Sequence, residues 1–472
     1  MPTIQNSNNA TKQEISGVVG STYNTANYAS IQAAIDAAEA AGGGTVYVPM
    51  GVHSITSRLN VDIGGIGIYL EAGAILQATS SLTNPIINIT ASNVTISGPG
   101  KVDGNGQVST GGIQAIGTIS NINIRDVEVT DTTTDAIILK GTDVSNRLTN
   151  STVKDVYVHD CFEGILLWYA NDCQIIGCRA IDMNVGSAQD CIEVSDCFRV
   201  IILGCVAKNS GPGNSCFDIY NACEDIIVQG CQALQDIAIA STPAIQVNSA
   251  GTGGKRISII GNLIKGYVTT TQGATAVGVG LDTKSFETGI LCSKATDIMI
   301  RGNTIVGCCN TTTSYGINIS ASTLSVTVSD NFVVQTGSGS ILIAGATAQT
   351  VRLLGNVFGN SHWDTNATAT GVINIGTAQP GEWIIDGNHF FNDNTTLDAL
   401  YYIQAGSGTY SNGTIKNNTS DGGLAAGGSN NPLWVQTSGN YFADNKFYDQ
   451  NRVGTVQPYS QNTGTTGALS AA

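Results

Sequence analysis

Ile259-Ile260-Gly261-Asn262, Ile300-Arg301-Gly302-Asn303, Leu354-Gly355-Asn356 and Ile385-Asp386-Gly387-Asn388 are one short phrase repeated, apolar residues closed by Gly and then Asn. Upstream it closes on Cys, in Ile175-Ile176-Gly177-Cys178, Leu203-Gly204-Cys205 and Val228-Gln229-Gly230-Cys231, while Asp330-Asn331, Asn417-Asn418 and Asp444-Asn445 continue the Asn form. From Cys178 to Asn445 the closing residue recurs at intervals of 27, 26, 31, 41, 28, 25, 32, 30 and 27 residues. A period of that size marks a stacked repeat, in which each coil buries its apolar face on its neighbours. The long interval between Asn262 and Asn303 places an insertion there. Asn repeated in one column, at the ~4.8 Å spacing of neighbouring strands, bonds amide to amide, so these residues are read as structural.

A second phrase marks another strand of each coil. It reads Asp135-Ala136-Ile137-Ile138-Leu139, Glu163-Gly164-Ile165-Leu166-Leu167, Asp190-Cys191-Ile192-Glu193-Val194, Ser215-Cys216-Phe217-Asp218-Ile219 and Pro243-Ala244-Ile245-Gln246-Val247, and shortens to Gly289-Ile290-Leu291-Cys292 and Gly316-Ile317-Asn318-Ile319. The second place is small, and the third and fifth are apolar and point inward by the two-residue period of a strand, so the fourth faces out. The expected fold is all-β, a right-handed single-stranded parallel β-helix, with function on its outer surface.

Composition agrees. The chain has 57 Gly, 9 Pro and 12% charged residues, a strand-and-turn makeup. Its net charge is −15, with no basic run longer than Lys255-Arg256, which argues against nucleic acid and anionic membranes as partners. No apolar stretch reaches the ~18 to 20 residues of a membrane span, so no membrane insertion is expected. Residues 1 to 20 have neither a basic n-region nor an apolar h-region, so no export signal is expected. Nine of the 12 Cys lie between Cys161 and Cys231 and follow the repeat, as buried reduced thiols would. They make no CxxC, and the four His make no HxH or HExxH, so no catalytic metal is expected.

Residues 1–27 read as a polar arm and 28–450 as the β-helix domain. The Ala-rich Tyr28 to Ala41, with Ile31 and Ile35 at i,i+4, predicts an amphipathic helix over 28–41 that caps the solenoid's open end, stopped by Gly42-Gly43-Gly44. Residues 451–472 are a low-complexity Gly/Thr/Ser/Ala tail.

Chemistry is expected where the outward columns carry acids. Glu193, Asp218 and Gln246 follow Ile138 and Leu166 in one column, Lys140, Trp168, Ser195, Tyr220 and Asn248 stand two residues further on, and Asp135, Glu163 and Asp190 share a turn column. Acids at coil spacing repel one another and take up a proton or a cation, for which calcium is the one cofactor considered. Carboxyl pairs at ~5 to 9.5 Å are what glycoside hydrolysis uses, so Glu163, Asp190, Glu193 and Asp218 are the candidate catalytic residues. Trp168, Tyr169 and Tyr220 are candidate platforms for sugar rings, with Asp135, Lys140, Gln246 and Asn248 as further substrate contacts.

Ser30 to Pro49, with its Gly42-Gly43-Gly44-Thr45-Val46-Tyr47-Val48-Pro49 ending, and Asn93-Val94-Thr95-Ile96-Ser97-Gly98-Pro99-Gly100-Lys101-Val102-Asp103-Gly104-Asn105-Gly106 resemble the pectin-lyase-like β-helix superfamily. Within it they resemble polygalacturonases, polysaccharide lyases, mannuronan epimerases and phage tailspikes. Against the polygalacturonase motifs the chain has Phe162-Glu163-Gly164, Gln189-Asp190-Cys191, Asn214-Ser215-Cys216 and Arg256-Ile257-Ser258. Gln189 is no acid and no His follows, so only Glu163 and Asp190 carry over. The epimerase Asp-Pro-His-Glu motif, a lyase-type Arg/Lys base and the tailspike Asp-Gly-x-x-Asp-Asp-Thr lead-in are missing. The resemblance implies a tailspike-like polysaccharide depolymerase, homotrimeric, extracellular or virion-associated and released by lysis. A non-catalytic glycan-binding or structural virion protein, and a lyase, epimerase or transferase, are the alternatives.

Overall fold

Inward Ile and Val at every second place, set off by small residues and tight turns, give short strands that can only be satisfied by stacking on copies of themselves. The computed structural model describes residues 21–80, 82–83, 85–107, 111–184, 189–237, 243–248, 254–266, 285–308, 314–320, 325–344, 350–361, 371–375, 381–392, 401–405, 413–422, 433–435, 441–447 and 460–461. It divides into two compact units, Met1–Gly186 and Ser187–Ala472. Each is a parallel β-solenoid whose coil contributes one strand to each of three ladders, here A, B and C in chain order around the coil.

In the first unit ladder A includes Gly44–Val48, Ile66–Leu70 and Val94–Ser97, ladder B includes Lys101–Asp103, Glu128–Thr130, Tyr157–His159 and Arg179–Ile181, and ladder C includes Ile113–Ile116, Asp135–Lys140 and Glu163–Trp168. The helix spans Ile31–Ala40, shorter than 28–41, because the Ser30 hydroxyl accepts the Ala33 N–H and so starts it. It buries Ile31, Ala34, Ile35 and Ala38 and packs against Thr22–Asn24, Gly44–Val48 and Leu59–Val61. Residues 22–24, at the end of the polar arm, pair with Thr45, Val46 and Tyr47.

In the second unit ladder C runs through Ile192–Ser195, Phe217–Tyr220, Pro243–Asn248, Thr288–Cys292, Tyr315–Ile319, Gly339–Ile343 and Gly371–Ile375. Ile245, Ile290, Ile317, Ile341 and Ile373 fall in direct register and are fully buried, each burial contributing about 1.5–3 kcal/mol. The small second place is steric: a Cβ at Gly316 would stand 2.2 Å from Val333 Cγ1, and one at Gly289 2.5 Å from the Gly316 carbonyl. Of residues 451–472 the structure describes Ser460–Gln461, which pair with Trp434 and Val435.

The turn from ladder A to ladder B needs a left-handed residue, supplied by Gly261, Gly302, Gly355 and Gly387 and elsewhere by Asp330, Asn417 and Asp444. The residue after it turns inward. From Asn262 through Asn303, Asn331, Asn356, Asn388 and Asn418 to Asn445, each Nδ2 donates to the next Oδ1 at 2.9 Å, and all seven are buried. The same Oδ1 atoms accept backbone N–H groups, so the amide ladder expected from the sequence closes the buried polar groups of these turns. Earlier coils of this unit place Cys205 and Cys231 in the column, with the Cys205 N–H 3.4 Å from Cys231 Sγ. The eleven described cysteines are all buried; Cys309 lies outside the described residues. Burial pushes the Cys161 thiol up to about 11 and that of Cys223 to about 12, which makes them packing groups.

Candidate active site

In the second unit the turn into ladder C delivers Asp190, and the next strand delivers Glu193 and Ser195. One coil on, Asp218 and Tyr220 pair with Glu193 and Ser195, and a further coil brings Gln246 and Asn248 into the same register. The fourth place of the phrase does face away from the core, since Val194 and Ile219 beside it are the buried ones. Facing away is not the same as being exposed. Asp190 is 4% and Asp218 8% exposed, while Glu193 and Gln246 are half-buried.

Burial gives these acids unusual electrostatics. Asp190 Oδ1 accepts the Ser215 N–H at 2.5 Å, yet burial lifts its carboxyl to about 6. Asp218 is raised well above the carboxylate range, first by burial and then by the negative charges of Asp190 and Glu193. Its Oδ1 is buried with no hydrogen-bond partner. Ser215 Oγ donates to Gln246 Oε1 at 3.2 Å, fixing the side chain beside Asp218. Among the described residues no three or more His, Cys, Asp or Glu come together as a set able to hold a metal ion. A proton retained on Asp218 relieves the repulsion within the cluster. A buried carboxylic acid biased toward its protonated form, next in register to a second carboxylate, makes a pair that can donate a proton and support a developing positive charge.

In the first unit the corresponding places are different. Asp135 and Glu163 are direct neighbours in register, and Glu163 is 7% exposed. The outward fourth places are Ile138 and Leu166, both buried. Lys140 and Trp168 pair in register, with Lys140 Nζ 3.5 Å from the centre of the Trp168 ring, and burial lowers the Lys140 ammonium pKa. Tyr169 turns left-handed and tilts its ring against Trp168 at 5.3 Å. The Trp168 ring is thus covered by a cation and a phenol, and its Nε1 is buried without a partner.

Two groups escaped the sequence reading. Ser215, noted only as part of the repeat, organises both Asp190 and Gln246. On ladder B of the first unit His159 stands between two carboxylates, Nδ1 2.7 Å from Asp160 Oδ2 and Nε2 3.2 Å from Glu128 Oε1, and Lys101 Nζ reaches the same Glu128 oxygen at 2.5 Å. Burial alone would raise the Glu128 carboxyl, but its bonds from Lys101 and His159 hold it below the usual range. The signal was present as Lys101-Val102-Asp103, Glu128-Val129-Thr130 and Tyr157-Val158-His159, one alternating triplet per coil. A cleft of ≈ 620 Å³ beside the helix, lined by Tyr28, Gln32, His53 and Arg58 among others, contains none of the candidate acids.

The parallel β-solenoid fold is shared with solved proteins. The surface adhesin PfbA of Streptococcus pneumoniae is similar at 15% identity and a TM-score of 0.56, over 72% of this chain and 91% of that one. The tailspike protein of E. coli bacteriophage HK620, as a mutant in complex with a pentasaccharide, is similar at 13% identity and a TM-score of 0.53, over 91% of this chain and 75% of that one. No family model matches the sequence, and no curated protein does.

Proposed function

We propose that this chain is a carbohydrate-active protein, a tailspike-like polysaccharide depolymerase that hydrolyses glycosidic bonds with paired carboxylates. The observation that carries the reading is Asp218, a buried acid whose Oδ1 has no hydrogen-bond partner and which lies directly beside Glu193 on the ladder, its carboxyl raised by burial and by the neighbouring acids. Neighbouring strands are ~4.8 Å apart, close to the ~5–5.5 Å carboxyl separation of retaining glycosidases. Asp218 gives its proton to the glycosidic oxygen as the bond to the anomeric carbon breaks, and Glu193 bonds to that carbon. Water then displaces Glu193 and returns a proton to Asp218. Asp190 keeps the Asp218 proton in place through its charge, and Gln246 and Tyr220 bind the adjoining sugars. The tailspike neighbour's bound pentasaccharide supports a glycan as partner. The same proposal holds the coil to be right-handed, the helix Ile31–Ala40 to cover its end, and the protein to work as a trimer, outside cells or on a virion.

The test is incubation with acidic and neutral polysaccharides, read by product mass. Products one water heavier than the repeat unit, lost in Asp218→Asn and Glu193→Gln, are expected. Unsaturated products would replace hydrolysis with elimination, and binding without cleavage would leave a receptor-binding role.

A further inference from the structure

We infer that the polymer segment reaching Asp190, Glu193 and Asp218 is uncharged, a neutral hydroxyl- and amide-bearing glycan and not a polyuronate. This rests on the glycosidase reading and narrows its substrate. Along ladder C of the second unit the outward places after Glu193 and Asp218 are Gln246, Leu291, Asn318 and Leu342, with no cation among them. On the other ladders of nearby coils Lys208 pairs with Asp236 at 2.6 Å, and Arg256 with Glu224 and Asp225. A sugar carboxylate arriving here would meet two or three acids and no cation in that column. It would also tighten the proton on Asp218, which must let it go for the bond to break.

The unpartnered polar atoms point the same way. Besides Asp218 Oδ1, the Asn318 carbonyl oxygen, two coils beyond Gln246 in the same outward column, is buried with no hydrogen-bond partner. An amide oxygen only accepts, so a glycan hydroxyl or N–H can meet it and an ionised carboxylate group cannot. Leu291 between them offers an apolar step against which the C–H face of a pyranose can lie.

The experiment is an array of bacterial and plant glycans, probed with the full wild-type chain and with Asp218→Asn, and each bound glycan then incubated with wild type and weighed. Neutral glycans retained at least about tenfold more tightly than uronate-containing ones are expected. Retention of uronate glycans equal to or above neutral ones overturns the inference, and so does an array on which nothing is retained. Neutral glycans retained but left intact by wild type sink the hydrolase reading while the substrate class stands. Uronate chains cleaved with addition of water do the reverse. If Asp218→Asn fails to fold, wild-type retention at 4 °C gives the same comparison.

Discussion

Asp135–Lys140 with Glu163–Trp168 in the first unit, and Ile192–Ser195 with Phe217–Tyr220 in the second, are the same strand written twice. Inward they are interchangeable, with Ile137, Leu139, Ile165 and Leu167 in one and Ile192, Val194, Phe217 and Ile219 in the other, all buried. Outward they part company: Ile138 and Leu166 against Glu193 and Asp218, then Lys140 and Trp168 against Ser195 and Tyr220. A solenoid strand holds its place through alternate residues only, which leaves the other half of the strand open to any chemistry the protein can keep folded.

The sharpest way to break this contrast is through turnover. Asp218→Asn is expected to lower kcat by about 10²–10⁴-fold, whereas Leu166→Asn, at the matching place of the first unit, leaves it within about twofold; reducing-end release measures both. Equal losses would mean that the two faces are not chemically distinct. Stability should show the inward half. Ile373→Ala removes a fully buried side chain and is expected to cost about 2–5 kcal/mol, while its outward neighbour Asn374→Ala stays within about 0.5 kcal/mol, as read from urea midpoints.

A third contrast is in pH. Asp190 has a folded pKa of about 6 against an ordinary 3.8, so the folded state holds its proton more tightly. The stability from this is fully present below pH 3.8 and is lost as pH rises through about 6, by up to about 3 kcal/mol. Asp190→Asn should flatten that part of the melting-temperature profile, and an unchanged slope would mean that another group titrates there. The smallest effect is expected at Lys140. Lys140→Met removes a cation over the Trp168 ring and should shift stability by less than about 1 kcal/mol, with a change in Trp168 fluorescence to show that the contact was lost.

How much of this was legible depended on whether a property is local to the repeat. The period of Asn262, Asn303 and Asn331 and the alternation around Ile192-Glu193-Val194 are enough to read strands, turns, the amide ladder and the outward place of Glu193 and Asp218. The burial of Asp190 and Asp218 is not local. It depends on neighbouring coils and on turns such as the one containing Ser215, whose N–H grips Asp190 from 25 residues away. Glu128 as a partner of His159 was missed for the same reason: it stands 31 residues back, on another coil, and no pattern within one strand contains it. The helix lost its first residues to a cap at Ser30, where one hydroxyl outweighed an apolar periodicity.

The asparagine ladder has a direction. Every Nδ2 from Asn262 to Asn418 donates to the Oδ1 of the coil that comes later in the chain. As the chain emerges from the ribosome, each finished coil therefore presents an unmet donor that the next coil can satisfy. The same amides also reach backward, Asn262 to the Val228 carbonyl and Asn445, the last one described, to that of Ile415, so each new coil is latched onto what is already built.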